Sequence, residues 1–161
     1  MRLADQEEVF AAPIASWQLA TSSASYRNTL FAEMKQIDSV QSIHFVYPSD
    51  SAFHLQKQDS TWFLKTKKVE ATPSEGISGE QVKAYLDLLT YKTSDRFEDQ
   101  LKPSGPSVIH VQITAASTED LVIRAYPIVD GYLLESSQRP GIYFKDDDLL
   151  KVIFVSESHF F

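Results

Sequence analysis

The stretch GIYFKDDDLLKVIF, residues 141–154, sets three consecutive aspartates, Asp146, Asp147 and Asp148, between two apolar runs. Carboxylate oxygens ligate hard cations, so a divalent-metal site is the first chemistry to weigh. A calcium loop spreads its oxygen ligands over alternating positions around a turn glycine and closes on a glutamate. Three adjacent aspartates instead point in different directions. Leu149, Leu150, Ile153 and Phe154 follow at once with helical spacing. A helix N-terminus carries unpaired N–H groups and the positive end of the dipole, where an aspartate stabilises by about 0.5–2 kcal/mol. The spacing therefore predicts that Asp146 or Asp147 caps a C-terminal helix, and no metal ligand is assigned.

The other chemistry-bearing residues form no recognisable constellation. The four histidines, His44, His54, His110 and His159, lack H-E-x-x-H or i,i+4 spacing. His44 and His110 fall on predicted strands, their apolar neighbours facing the opposite way. Two such imidazoles on one sheet face could approach each other and ligate zinc; surface or half-buried side chains are the preferred reading. The absence of cysteine excludes disulfides, thiolate catalysis and Cys-ligated zinc or iron–sulfur centres. No serine sits in G-x-S-x-G, and the five glycines make neither G-x-G-x-x-G nor a P-loop. The 22 acidic residues would always supply a carboxylate pair, which carries no specificity. No catalytic, cofactor-binding or metal residue is assigned, and no cofactor is expected.

Aromatic side chains are the remaining candidates. Trp17, Trp62, Phe63, Tyr126, Tyr132, Tyr143 and Phe144 could line a ligand groove, but their alternation on strands favours core packing. Trp62 in particular is expected to anchor the core. The closing Phe160 and Phe161 are either tucked into the sheet or displayed to a partner.

These residues need elements to position them. Residues 1–20 read as an irregular lead. Tyr26, Leu30, Met34 and Ile37 recur at roughly helical spacing, predicting a helix over about 23–36. SVQSIHFVYP then alternates as a strand, with Ile43, Phe45 and Tyr47 on one side and His44 and Val46 on the other. AFHLQKQDSTWFLKT reads as a hairpin turning at KQDS. Ser78 and Gln81 form a capping box, in which the serine hydroxyl meets the Gln81 amide and the glutamine side chain reaches back. Val82, Tyr85, Leu86 and Leu89 make one apolar helix stripe. TSDRFEDQLKPSGP is the least structured connector. SVIHVQIT, EDLVIRAYPI and the GYLLESS–QRPG–IYF hairpin supply a second strand set before the last helix. SVIHVQIT has no charge, so an edge position would make it adhesive.

The order predicts one α+β domain over 1–161, with mostly antiparallel sheet and an N-terminal helix. Strand-strand-strand-helix units at about 37–92 and 107–155 can be read as half-repeats of a duplication. Net charge −7 and a pI near 5.0 argue against nucleic acid, and the densest basic stretch, Lys65, Lys67 and Lys68, is short. No run approaches the roughly 18 apolar residues of a membrane span. No secretory signal opens the chain, since Asp5, Glu7 and Glu8 follow Arg2.

Three segments carry a family resemblance. IDSVQSIHFVYPSDSAFHLQKQDSTWFL, SGEQVKAYLDLLTYK and GYLLESSQRPGIYFKDDDLLKVI resemble the opening strands, the following helix and the closing segment of the bacterial family catalogued as domain of unknown function 4340. The likeness runs from about Ile37 to Phe154. LKPSGPSVIHV keeps a proline where the family usually has Tyr-Gly-Leu-x-x-Pro, without the Gly-Leu pair. The resemblance implies a periplasm-facing envelope domain, held by an anchor upstream of Met1, sometimes auxiliary to a transporter or to gliding motility. It carries over no catalytic residue. The expected function is a non-enzymatic extracytoplasmic module that binds an envelope protein, by a sheet edge or an apolar patch. The alternatives are a small-molecule or lipid binder and an unrecognised hydrolase.

Overall fold

Period-two alternation of apolar and polar residues builds most of the molecule. A computed structural model of the chain describes residues 26–48, 51–66, 77–116 and 118–161. Ten strands and two α-helices follow in the order β1 (Leu30–Glu33), β2 (Val40–Val46), β3 (Phe53–Gln58), β4 (Thr61–Thr66), α1 (Gly79–Leu88), β5 (Tyr91–Thr93), β6 (Phe97–Glu98), β7 (Ile109–Ala115), β8 (Leu121–Ile128), β9 (Gly131–Ser136), β10 (Tyr143–Phe144) and α2 (Asp147–Ile153). Eight strands form one sheet in the order β4-β3-β2-β7-β8-β9-β10-β6, and β1 pairs with β5 as a separate ribbon. Every pairing is antiparallel. The domain is thus α+β and mostly antiparallel.

One face of the large sheet is the core. Ile43, Phe45, Phe53, Leu55, Val111, Ile113, Ile123 and Leu134 are buried there. The α1 stripe of Val82, Tyr85, Leu86 and Leu89 is buried as its spacing predicts, and α2 adds Leu149 and Ile153. Trp62, 9% exposed, belongs to this core. Phe160 is fully buried, its ring tilted against Phe45 and edge-on to Phe53 and Tyr85, while Phe161 is half exposed. The tail is therefore tucked at its penultimate residue. At the start of α1 the Ser78 hydroxyl accepts from the Gln81 amide at 3.3 Å. The reciprocal half of the capping box is absent: the Ser78 N–H donates to the Phe160 carbonyl at 2.9 Å instead. The chain's C-terminal turn thus supplies the acceptor expected from Gln81.

Three expectations are corrected. The helix expected over 23–36 is not there in its described part. Leu30–Glu33 is strand β1, paired with β5, and a 3-10 turn spans Ile37–Ser39. Phe31 packs edge-on against Phe144 at 5.1 Å, and Gln138 holds both the N–H and the C=O of Glu33. These long-range partners outweigh a short, weak helical period. The supposed connector TSDRFEDQLKPSGP carries β6, which closes the sheet beside β10. Finally, SVIHVQIT becomes β7, which is central, flanked by β2 and β8. Its backbone groups are paired on both sides, so it offers no adhesive edge. The irregular lead 1–20, with Trp17, lies outside the described residues.

Candidate functional site

At the triple aspartate, backbone direction decides the chemistry. Asp146 is the N-cap of α2: one carboxylate oxygen accepts from the Asp148 and Leu149 amides at 3.1 and 3.0 Å. The other accepts from the Ser94 hydroxyl at 2.7 Å. Partial burial pulls this carboxyl upward, yet the Ser94 and Leu149 hydrogen bonds, the Arg96 charge and the Asp148 amide outweigh it. The net effect holds it below the ordinary value. Asp148 turns instead to Arg96, at 3.5 Å. The carboxylates diverge, and among the described residues no three His, Asp or Glu side chains gather as a metal site.

The outer face of the large sheet brings together residues that the sequence separates. His44 stands opposite His54 across β2 and β3, with ring centres 5.4 Å apart. His54 in turn stands opposite Lys65 on β4. His110 lies on the same face of β7, opposite Arg124 of β8, and two pairs further along from the His44–Gln112 pair. His44 and His110 therefore share a face, as half-buried or surface side chains, and His54 is the closer neighbour of His44. Sequence reasoning missed it because the register of the β2–β3 hairpin, not a spacing, creates the pair. Burial lowers the proton affinity of His54, and the His44 and Lys65 charges lower it further. Burial, His44 and Arg124 act the same way on His110. These imidazoles lie on an open surface: His44, on a central strand, is exposed.

That face closes over only at β9. Leu133 and Glu135 are buried there, and Glu135 accepts from the Tyr126 hydroxyl at 2.7 Å and from the Gly141 amide at 2.9 Å. Burial, and then the Glu135 hydrogen bond and charge, push the Tyr126 phenol up to about 12.

The candidate aromatics do not converge. Trp62 and Phe144 are core residues, Tyr132 packs against the core, and Tyr126 and Tyr143 meet each other on the outer side at 6.1 Å. Phe63 stands opposite Gln56, on the polar face. A different set lines a cleft of about 840 Å³ between the β3–β4 hairpin and the C-terminal segment: Tyr47, Phe53, Leu64, Phe154, Val155 and Glu157. The Tyr47 hydroxyl is tied to the Val155 carbonyl at 2.6 Å, which braces one wall. Comparison with models of known protein families, with curated proteins and with solved structures gave no match.

Proposed function

We propose that the chain is a non-enzymatic interaction module that offers a sheet edge to a protein partner. The observation that carries this is β4. It ends the eight-stranded sheet over six residues, Thr61–Thr66, and among the described residues no strand lies beyond it. An unpaired edge presents backbone N–H and C=O groups that a partner strand can satisfy. The opposite edge, β6, has two residues and offers little length for pairing. We place the module in the bacterial cell envelope, facing the periplasm and auxiliary to a transporter or motility system. The resemblance of the three segments to domain of unknown function 4340 supports that placement. No described helix is long and apolar enough to cross a membrane, so attachment would use another segment. The halves at 37–92 and 107–155 are read as a duplicated strand-strand-strand-helix unit. The order β4-β3-β2 on one side of the β2–β7 pair and β7-β8-β9 on the other supports this.

The cleft beside Tyr47 and Phe154 favours a second reading, a small-molecule or lipid binder, because its walls are largely apolar. A hydrolase has no comparable support: His54 lines a shallow depression with Asp38 and Asp59, but among the described residues no three His, Asp or Glu side chains gather. The test is site-specific photocrosslinking in the native cells, with the probe at Thr61 on the edge and, as control, at fully exposed Val129. Reproducible protein adducts from Thr61 alone are expected. Absence of any adduct, together with saturable binding of a small molecule or lipid that Phe154→Ala weakens, would replace the first reading by the second.

A further inference from the structure

A strip of basic side chains crosses the open face of the large sheet. Lys65, His54 and His44 stand in register on β4, β3 and β2. Two residues along the strands, His110 and Arg124 continue the strip on β7 and β8. With strands about 4.7–4.9 Å apart, five strands span roughly 19 Å. The neighbours on this face are neutral: Phe63, Gln56, Ser42, Val46, Gln112, Thr114 and Val122. Four acids border the strip: exposed Asp38 and Asp59 line one depression with His54 near the β3 end, and the two acids on the β8–β9 side are both engaged. Glu135, opposite Arg124, is buried and bound by Tyr126 and Gly141, and Asp120 accepts from Gln112 at 2.6 Å. Among the described residues neither Lys65 nor Arg124 forms an ion pair. This gathering of like charge sits on a chain of net charge −7.

We propose that this strip docks a short acidic polypeptide segment of a partner, laid across β4 to β8. Charge complementarity selects the occupant. An extended anionic surface such as a membrane would meet the whole chain, whose net charge opposes the approach. A short segment senses chiefly the charges within a Debye length, about 8 Å at physiological salt, and there the strip dominates. Acidification adds charge to three of the five side chains, so docking tightens as pH falls. This surface adds to the interaction-module reading and does not depend on the β4 edge.

The test is an NMR titration of the isotopically labelled chain with a Glu-Ser repeat peptide of roughly eight residues, long enough at about 3.3 Å per residue to cross the strip. Phosphatidylglycerol vesicles serve as the competing probe. Shift changes confined to the strip are expected, with affinity higher near pH 5.5 than near pH 7.5 and falling with salt. Arg124→Glu with Lys65→Glu should weaken binding roughly tenfold or more, and Arg124→Lys should retain it. Lack of saturation at low salt near pH 5.5, shifts elsewhere, or binding to vesicles but not peptide would each overturn the proposal. A protein crosslinked through Thr61 alongside a failed peptide titration would discard the strip and leave the interaction module standing. Binding at the strip without any Thr61 adduct would discard the β4 edge and leave the strip as the docking surface.

Discussion

At the residue scale, Asp146 shows how a carboxylate that resembles a ligand is consumed by backbone. Both of its oxygens are engaged, by Ser94 and by two α2 amides. Replacing it with alanine should lower stability by about 0.5–2 kcal/mol in urea denaturation at neutral pH. Its carboxyl lies below the ordinary 3.8, so its contribution is complete above that value and is lost as pH falls through the lowered one. The gap between wild type and Asp146→Ala should therefore close in strong acid; an unchanged gap would show that the side chain acts by packing. The histidines give an independent check. The His44 charge helps depress both His54 and His110. His44→Gln should raise the NMR titration midpoints of both imidazoles, and static midpoints would mean the three rings are not neighbours. Because folding depresses His54 and His110 below 6.5, their effect on stability is absent above that pH. It becomes a loss as pH falls toward the folded values.

At the element scale, position within the sheet decides what a strand can do. β7 is as apolar as an adhesive edge would be, yet β2 and β8 saturate it. Ile113, 1% exposed on its inner side, should cost about 2–5 kcal/mol when replaced by alanine. Phe63 on the outer side of β4 is only half-buried, so Phe63→Ala should cost clearly less in the same assay. Equal losses would contradict the assignment of inner and outer faces. The short β1–β5 ribbon carries the same lesson: LFAE becomes a strand because Phe31 finds Phe144 and Gln138 grips Glu33.

At the scale of the whole molecule, the C-terminus closes the core. Phe160 sits among Phe45, Phe53 and Tyr85, its carbonyl accepts the Ser78 amide, and the Tyr85 hydroxyl donates to the Ile153 carbonyl at 2.9 Å. The last turn thus joins the start of α1 to the middle of the sheet across most of the chain's length. Phe160→Ala should cost about 3–5 kcal/mol, measured by thermal or urea denaturation, while Phe161→Ala, half exposed, should be close to neutral. A mild Phe160 variant would mean that the tail is an accessory and not part of the core.

Local signals were legible in the sequence wherever the physics is local. Alternation marked β2, β3, β4 and β7, a strand run after a turn marked β8, the i, i+3, i+4 stripe marked α1, and the aspartate–leucine boundary marked the α2 cap. In each case the residue types within a few positions set both the element and its buried side. What the tertiary structure alone decided is what depends on partners distant in the chain. Register placed His54 beside His44, and strand order buried β7 between two neighbours and left β4 at the margin. Phe144 and Gln138 turned a weak helical period at 30–33 into strand. The Phe160 carbonyl displaced Gln81 from its expected capping role. The physical reason is common to all of them. A backbone hydrogen bond or a ring contact is equally good from any partner, so sequence spacing cannot rank the partners that folding brings within reach.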